Sequence, residues 1–304
     1  LLNNKRKAIN TLLLVPLVMK KIFLFNIIIF LLLTASCSKF QRIVKDPKWQ
    51  NRYNAALAYY EKGDYYRAGA LLEDLVPILV GTLEAEKARF YVAYCYFKQG
   101  QYTMSHDSFK NFHSTYSRSE FAEEALFMSA YSQYMDSPAS NLDQSHTNIA
   151  IDAFQDFINR YPNSKYAQQA SGEILELRAK LEQKAFNTAI LYQKLVNYKY
   201  EYSKSAVIAY ENFRKDFPDS KLQEEVAFHK IQAQYDLAKN SYYTKQRERF
   251  EELIGMFVAF SEKYPKSKFL KQAENIAEQA QKQISNLRGN EQKNNTTAQN
   301  VGTN

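Results

Sequence analysis

The chain of 304 residues carries 40 basic and 32 acidic side chains, a formal net charge of +8 that by itself points toward nucleic acid. Lys5, Arg6, Lys7, Lys20 and Lys21 all precede residue 37 with no acid among them, so the remainder carries only +3 and no nucleic-acid partner is expected. Two cysteines, Cys37 and Cys95, are too few for a disulfide framework or a cysteine metal set.

Met19-Lys20-Lys21 precedes an almost unbroken apolar run from Ile22 to Leu33, followed by Thr34-Ala35-Ser36-Cys37. A basic start, a short apolar core and small residues at the end make a secretory signal over 1–36, with translation starting at Met19. A membrane span needs about 20 apolar residues, and this run is shorter. Ala35-Ser36-Cys37 resembles the lipobox of bacterial lipoproteins, with Thr34 where Leu or Val is usual and Leu33 one place upstream. The resemblance implies cleavage before Cys37 and acylation of its thiol and new amino group. That covalent lipid is the only non-protein group expected, and two or more acyl chains make a stable anchor. The other reading is an ordinary signal with an incidental cysteine. Ser38 is not Asp, and Lys39-Phe40-Gln41 has no acidic run, so the resemblance implies the periplasmic face of the outer membrane. Residues 37–48 then form a lipid-anchored linker.

Beyond the leader, apolar residues recur at three and four, as in Tyr53, Ala56, Leu57 and Tyr60, and the chain has only eight glycines, which predicts helix throughout. Tyr53 to Tyr65 repeats as Phe90 to Tyr102 at an offset of 37 residues, aligning Ala56 with Ala93 and Gly63 with Gly100. Leu72, Leu75 and Leu79 align at the same offset with Phe109, Phe112 and Tyr116. One unit is a helix with an Ala-x-x-Tyr step, a glycine turn, and a second helix with large apolar residues three apart. This resembles the tetratricopeptide signature, and implies an all-α helical solenoid of about five helix pairs.

The second helix ends in a recurring phrase: Tyr161-Pro162-Asn163-Ser164, Phe217-Pro218-Asp219-Ser220 and Tyr264-Pro265-Lys266-Ser267. Proline stops each helix, and the serine is placed to cap the next; Ser220 with Gln223 has the spacing of a capping box. Irregular spacing marks inserts: a loop at Asp136 to Asn141, a long helix from about Lys165 to Asn197, and ten extra residues around Asn240 to Arg249. The expected organisation is repeats 1–3 over 49–164, then the connecting helix, repeats 4–5 and a closing helix (Ser267 to Leu287) over 165–287. The tail at 288–304 lacks periodicity and is expected to be disordered.

No catalytic constellation is visible, and the chain is not expected to be an enzyme. His106, His113, His146 and His229 are scattered without metal-ligand spacing, and there is no phosphate loop or nucleophile elbow. Cys95 sits between Tyr94 and Tyr96, as a buried structural thiol would. The inner face of such repeats is lined by their first helices, which predicts a groove of Tyr53, Leu57 and Tyr60, then Phe90, Tyr94 and Phe97, then Phe127, Tyr131 and Tyr134. Aromatic side chains there suit an extended or hairpin segment carrying Phe or Tyr, unless the rings belong to the core or are covered by the chain's own terminus.

The lipobox, the five-unit layout, the YPNS and FPDS phrases and the region Leu181 to Phe186 together resemble the BamD family, lipoprotein subunits of the complex that assembles β-barrels into the outer membrane. The resemblance spans about 37–287. It implies two partners: C-terminal segments of unfolded outer-membrane proteins on the N-terminal groove, and the barrel-forming, BamA-like subunit on the C-terminal half. Arg214, Tyr235, Tyr242 and Tyr243 are the candidate docking residues there. The competing classes are a repeat lipoprotein tethering envelope or division proteins, and a sugar-capturing helical lipoprotein.

Overall fold

The computed structural model describes residues 39–301, so the leader, Cys37 and its lipidation lie outside the described residues. Among the described residues every regular element is an α-helix. After a short α1 at 39–44 come α2 (Trp49–Glu61), α3 (Tyr65–Leu75), α4 (Leu83–Lys98), α5 (Tyr102–Thr115) and α6 (Ala122–Asp136). Then follow α7 (Ser145–Arg160), α8 (Ala167–Leu195), α9 (Tyr202–Asp216), α10 (Gln223–Lys239), α11 (Tyr243–Lys263) and α12 (Leu270–Val301). Five successive hairpins and a closing helix make the all-α, tetratricopeptide-type solenoid that the repeats predict.

The turns repeat because the same backbone problem recurs. Gly63 and Gly100 adopt φ of 78° and 73°, a left-handed conformation that an L side chain strains. Each glycine N–H donates to the carbonyl three residues back, Tyr60 at 2.9 Å and Phe97 at 3.0 Å, which closes the helix end. Asp64 then caps α3, its side chain accepting the N–H of Arg67. At the far end of each pair, Tyr116, Tyr161, Phe217 and Tyr264 each donate their N–H to the last turn, and each carbonyl accepts from the serine three residues on. The first of these turns, Tyr116 to Ser119, has no proline, so the bonding pattern and not proline alone defines the turn.

Two compact units divide the described chain: one up to Asp136 together with Ala153–Ala170, the other Ser137–Asp152 together with everything from Ser171. In the first, α2 to α6 pack each on its chain neighbour. Ala56 and Ala93 are fully buried, and Leu71, Leu72, Leu75 and Leu79 fill the space beside Ala56. A Cβ added at Gly69 would stand 3.2 Å from Cys95 Cβ, so only glycine lets α3 approach α4 this closely without adjustment. In the second unit α9, α10, α11 and α12 pack in chain order, over Tyr210 and Phe213, then Phe250, Leu253 and Phe260.

Two segments differ from expectation. The linker at 37–48 is helical at 39–44, and Phe40, Ile43 and Val44, spaced three and four apart, pack on the core of α2 to α4. Phe40 meets Tyr59 edge to face at 5.9 Å, with the Arg67 guanidinium over both rings. The tail from Arg288 does not depart from helix: α12 continues to Val301. Leu287 is buried, no proline follows it, and adding residues to an anchored helix costs far less than nucleating one.

The insert after α6 is a loop, as its Ser-Pro-Ala-Ser-Asn composition predicts, and it is well bonded within the second unit. Lys180 Nζ donates to the carbonyl of Ser137 at 3.2 Å, and Lys184 Nζ to those of Asn141 and Leu142 at 3.2 and 2.7 Å. Buried Gln144 closes the loop from inside, donating to the Ala139 carbonyl at 2.8 Å. The later insert is not a loop: most of it extends the start of α11.

Candidate functional site

The serine of each turn phrase does more than cap. Ser164 Oγ donates to Glu123 Oε1 at 2.5 Å and Ser267 Oγ to Glu224 Oε1 at 2.6 Å. Ser119 bonds Glu86, and Ser220 bonds Glu182, in the same way. Each serine also accepts the N–H two residues on, from Phe121, Tyr166, Leu222 and Phe269. Four residues past each glutamate, one helical turn, stands Phe90, Phe127, Phe186 or Phe228. Phe121 stacks on Phe90 at 4.7 Å, Tyr166 on Phe127 at 4.6 Å and Phe269 on Phe228 at 4.7 Å. In three of the four places the first helices are therefore joined by a clasp of one carboxylate, one hydroxyl and a ring pair; at Ser220 the ring position is taken by Leu222. The capping box expected at Ser220 is not formed: Gln223 Nε2 turns instead to the carbonyls of Phe217 and Arg214, at 2.6 and 3.3 Å.

This clasp corrects the expected groove. Phe90 and Phe127 are 5% and 3% exposed, and Tyr53 is 7% exposed, so these three are core rings. They sit where the next first helix packs, a position that the stack must cover. The other six, Leu57, Tyr60, Tyr94, Phe97, Tyr131 and Tyr134, remain half-buried. Their rings form runs in the first unit: Tyr60 against Tyr91 at 4.6 Å, Phe97 against Tyr131 at 5.8 Å, and Tyr131 stacked on Tyr134 at 5.4 Å. Glu124 accepts the Tyr94 hydroxyl on one oxygen and that of Tyr166, at 2.9 Å, on the other. Burial, then the bond to Glu124, holds the Tyr94 phenol well above its ordinary range, so it stays a neutral donor. Burial does the same for Tyr60. The result is a neutral surface of mutually packed rings.

The residues expected in the second unit are dispersed. Tyr235 is half-buried and packs on Phe250 at 5.7 Å, a core contact. Tyr242 is 86% exposed at the start of α11, and Tyr243, beside it, reaches the Leu287 carbonyl at 3.4 Å. Arg214 lies elsewhere, in a cleft of about 450 Å³ among α9, α10 and α11 that Lys230, Met256, Lys263 and Tyr264 also line. There Arg214 Nε and the Tyr264 hydroxyl are buried without a hydrogen-bond partner. Lys230, by contrast, is paired with Glu211, and their hydrogen bond holds that carboxyl below the usual range.

The histidines do not converge: His106 Nδ1 meets Ser129, and His113 Nε2 lies 3.0 Å from the Tyr161 hydroxyl. Among the described residues no group of three or more His, Cys, Asp or Glu could hold a metal ion, and no helix is long and apolar enough to cross a membrane.

Residues 45–198, half of the chain, match the family YfiO, described as outer membrane lipoprotein. A curated relative, the outer membrane protein assembly factor BamD of Rickettsia prowazekii (strain Madrid E), is 29% identical over 122 residues, 40% of this chain and 49% of the relative. The chain thus spans about half the length of that relative. With its helical repeats and clasped first helices, the chain belongs to the YfiO family of outer membrane lipoproteins.

Proposed function

We propose that the chain is a non-enzymatic subunit of the machinery that assembles β-barrels into the outer membrane, anchored through lipid on Cys37 at the periplasmic face. The first unit receives C-terminal segments of unfolded barrel proteins on Leu57, Tyr60, Tyr94, Phe97, Tyr131 and Tyr134. The observation that carries this reading is the half-buried aromatic surface itself, neutral and already packed, which meets Phe or Tyr side chains at little ordering cost. The Rickettsia relative, an outer membrane protein assembly factor, supports the same reading.

In the second unit the barrel-forming subunit docks at the Arg214 cleft. A buried guanidinium nitrogen and a buried phenol without partners are costly in the free protein and are relieved by an acceptor from outside. Tyr242 and Tyr243, at the exposed start of α11 and away from that cleft, make a second contact.

The test is a pair of variants. Phe97→Ala with Tyr134→Ala should weaken binding of a peptide from the C-terminal strand of an outer-membrane barrel at least tenfold while the barrel-forming subunit still co-purifies. Arg214→Glu should do the reverse. Crossed or absent effects would overturn the division. Cys37→Ala should move the protein to the soluble fraction or leave it as precursor; unchanged membrane retention would sink the anchor.

A further inference from the structure

The repeat builds the Arg214 cleft a second time, in the first unit, with its arginine on the other helix. A cleft of about 210 Å³ among α3, α4 and α5 is lined by Glu73, Val76, Arg89, Val92, Ser108, Asn111 and Phe112. The clasp aligns Phe90 with Phe228, and the second helices align Leu75 with Phe213 and Phe109 with Phe257. In that register Val76 falls on Arg214, Arg89 on Ala227, Val92 on Lys230, Ser108 on Met256, Asn111 on Ala259 and Phe112 on Phe260. All six counterparts line the Arg214 cleft. The guanidinium that α9 contributes there is contributed here by α4, and a valine takes the vacated position.

Arg89 has the same unmet demand. Its Nε is buried without a hydrogen-bond partner, and Arg89 makes no ion pair among the described residues. Arg52, whose Nε is also unpartnered, differs because its other end is paired with Asp74. Glu73 does not neutralise Arg89 although it lines the same cleft; it accepts the hydroxyl of Tyr96. A half-buried guanidinium without a counter-ion, between apolar Val76, Val92 and Phe112, is a receptor for a planar anion, which the guanidinium fork meets with two parallel bonds. The carboxylate of Glu73 on the same wall repels a dianion such as phosphate more strongly than a single carboxylate.

We propose that the Arg89 cleft binds an aspartate or glutamate side chain presented by an extended segment of a partner protein. The guanidinium takes the carboxylate, the Asn111 amide lies at the mouth, and Val76, Val92 and Phe112 cover an apolar neighbour of the acid. The site is separate from the aromatic surface and from the Arg214 cleft, and does not depend on the partners assigned to either.

The test is a titration of the intact protein in mild detergent with acetyl-Val-Glu-Phe-amide and with its Gln counterpart. Binding is followed through the Arg89 Nε–Hε and Asn111 side-chain signals in proton–nitrogen spectra. The Glu peptide should give saturable shifts at both, the Gln peptide at least tenfold weaker ones, and sodium acetate at equal concentration none. Arg89→Gln should weaken binding at least tenfold, and Arg89→Lys, which keeps the charge but not the fork, by less. If Arg89→Gln lowers the melting temperature, the Lys variant carries the comparison. No shift with the Glu peptide, equal shifts with both peptides, a response matched by acetate, or unchanged binding in both variants would each overturn the proposal.

Discussion

Ser267 Oγ donates to Glu224 Oε1 at 2.6 Å while accepting the N–H of Phe269, so one hydroxyl joins the first helix of the last full repeat to the closing helix. The same bond recurs three times upstream, at Ser119, Ser164 and Ser220. A hydrogen bond to a charged group is worth roughly 1.5–3 kcal/mol. Glu224→Ala should therefore lower the melting temperature by several degrees, and Ser267→Ala by a similar amount. The double variant should lose clearly less than the sum, because both changes remove one bond. Additive losses would mean that the clasp contributes nothing as a pair.

The faces of the first unit should separate by stability. Phe109 is fully buried, and its truncation to Ala should cost about 3–5 kcal/mol. Phe97 and Tyr134 are only half-buried, although each meets two other rings, and truncating either should cost less than Phe109→Ala. Chemical denaturation of the three single variants measures this. An ordering with Phe109→Ala least affected would reverse the assignment of core and surface.

His113 gives a pH dependence. Burial lowers its pKa, Arg160 adds to this, and Asp156 opposes it. The unfolded chain therefore takes up the proton first, and stability rises with pH across that window. The contribution is complete above the ordinary histidine value of about 6.5 and is lost as the pH falls from there through the lowered value of the folded protein. His113→Gln should flatten part of the slope of melting temperature between about pH 7 and pH 5, measured by circular dichroism. An unchanged slope would assign it to other groups.

Cys95 should be silent to thiol reagents. Burial pushes its pKa up to about 12, so almost no thiolate exists at pH 8. Labelling of the folded protein by an aromatic disulfide should be slow, and should rise sharply in denaturant. Rapid labelling under native conditions would contradict the close packing of α3 on α4 at Gly69.

The repeat, its glycine turns and the proline stops are legible in the chain because each is local: a left-handed glycine or a missing N–H acts within a few residues. The long α8 and the loop after α6 follow from spacing for the same reason. The carboxylate half of the clasp was in plain view, as Glu86, Glu123, Glu182 and Glu224 stand four before a phenylalanine. Its partner serine lies on the next repeat, at separations that vary with the inserts, so no fixed period exposes it. Ser119 is masked further by the lack of a proline before it.

Which rings face solvent is another matter. Tyr53, Leu57 and Tyr60 share one stripe of one helix, yet Tyr53 is core and Tyr60 half-buried, because burial depends on where the neighbouring helix crosses. Helical periodicity names a stripe; only packing says which part of it is covered. The unpartnered Arg89 and Arg214 are likewise invisible in the sequence, where arginines beside glutamates look satisfied. By itself, then, the sequence determined the helix pairs, their turns and the aromatic stripes they carry, since these rest on local backbone chemistry. The tertiary structure alone decided the clasp, the core rings and the two equivalent clefts, since each depends on how closely and at what angle separate helices pack.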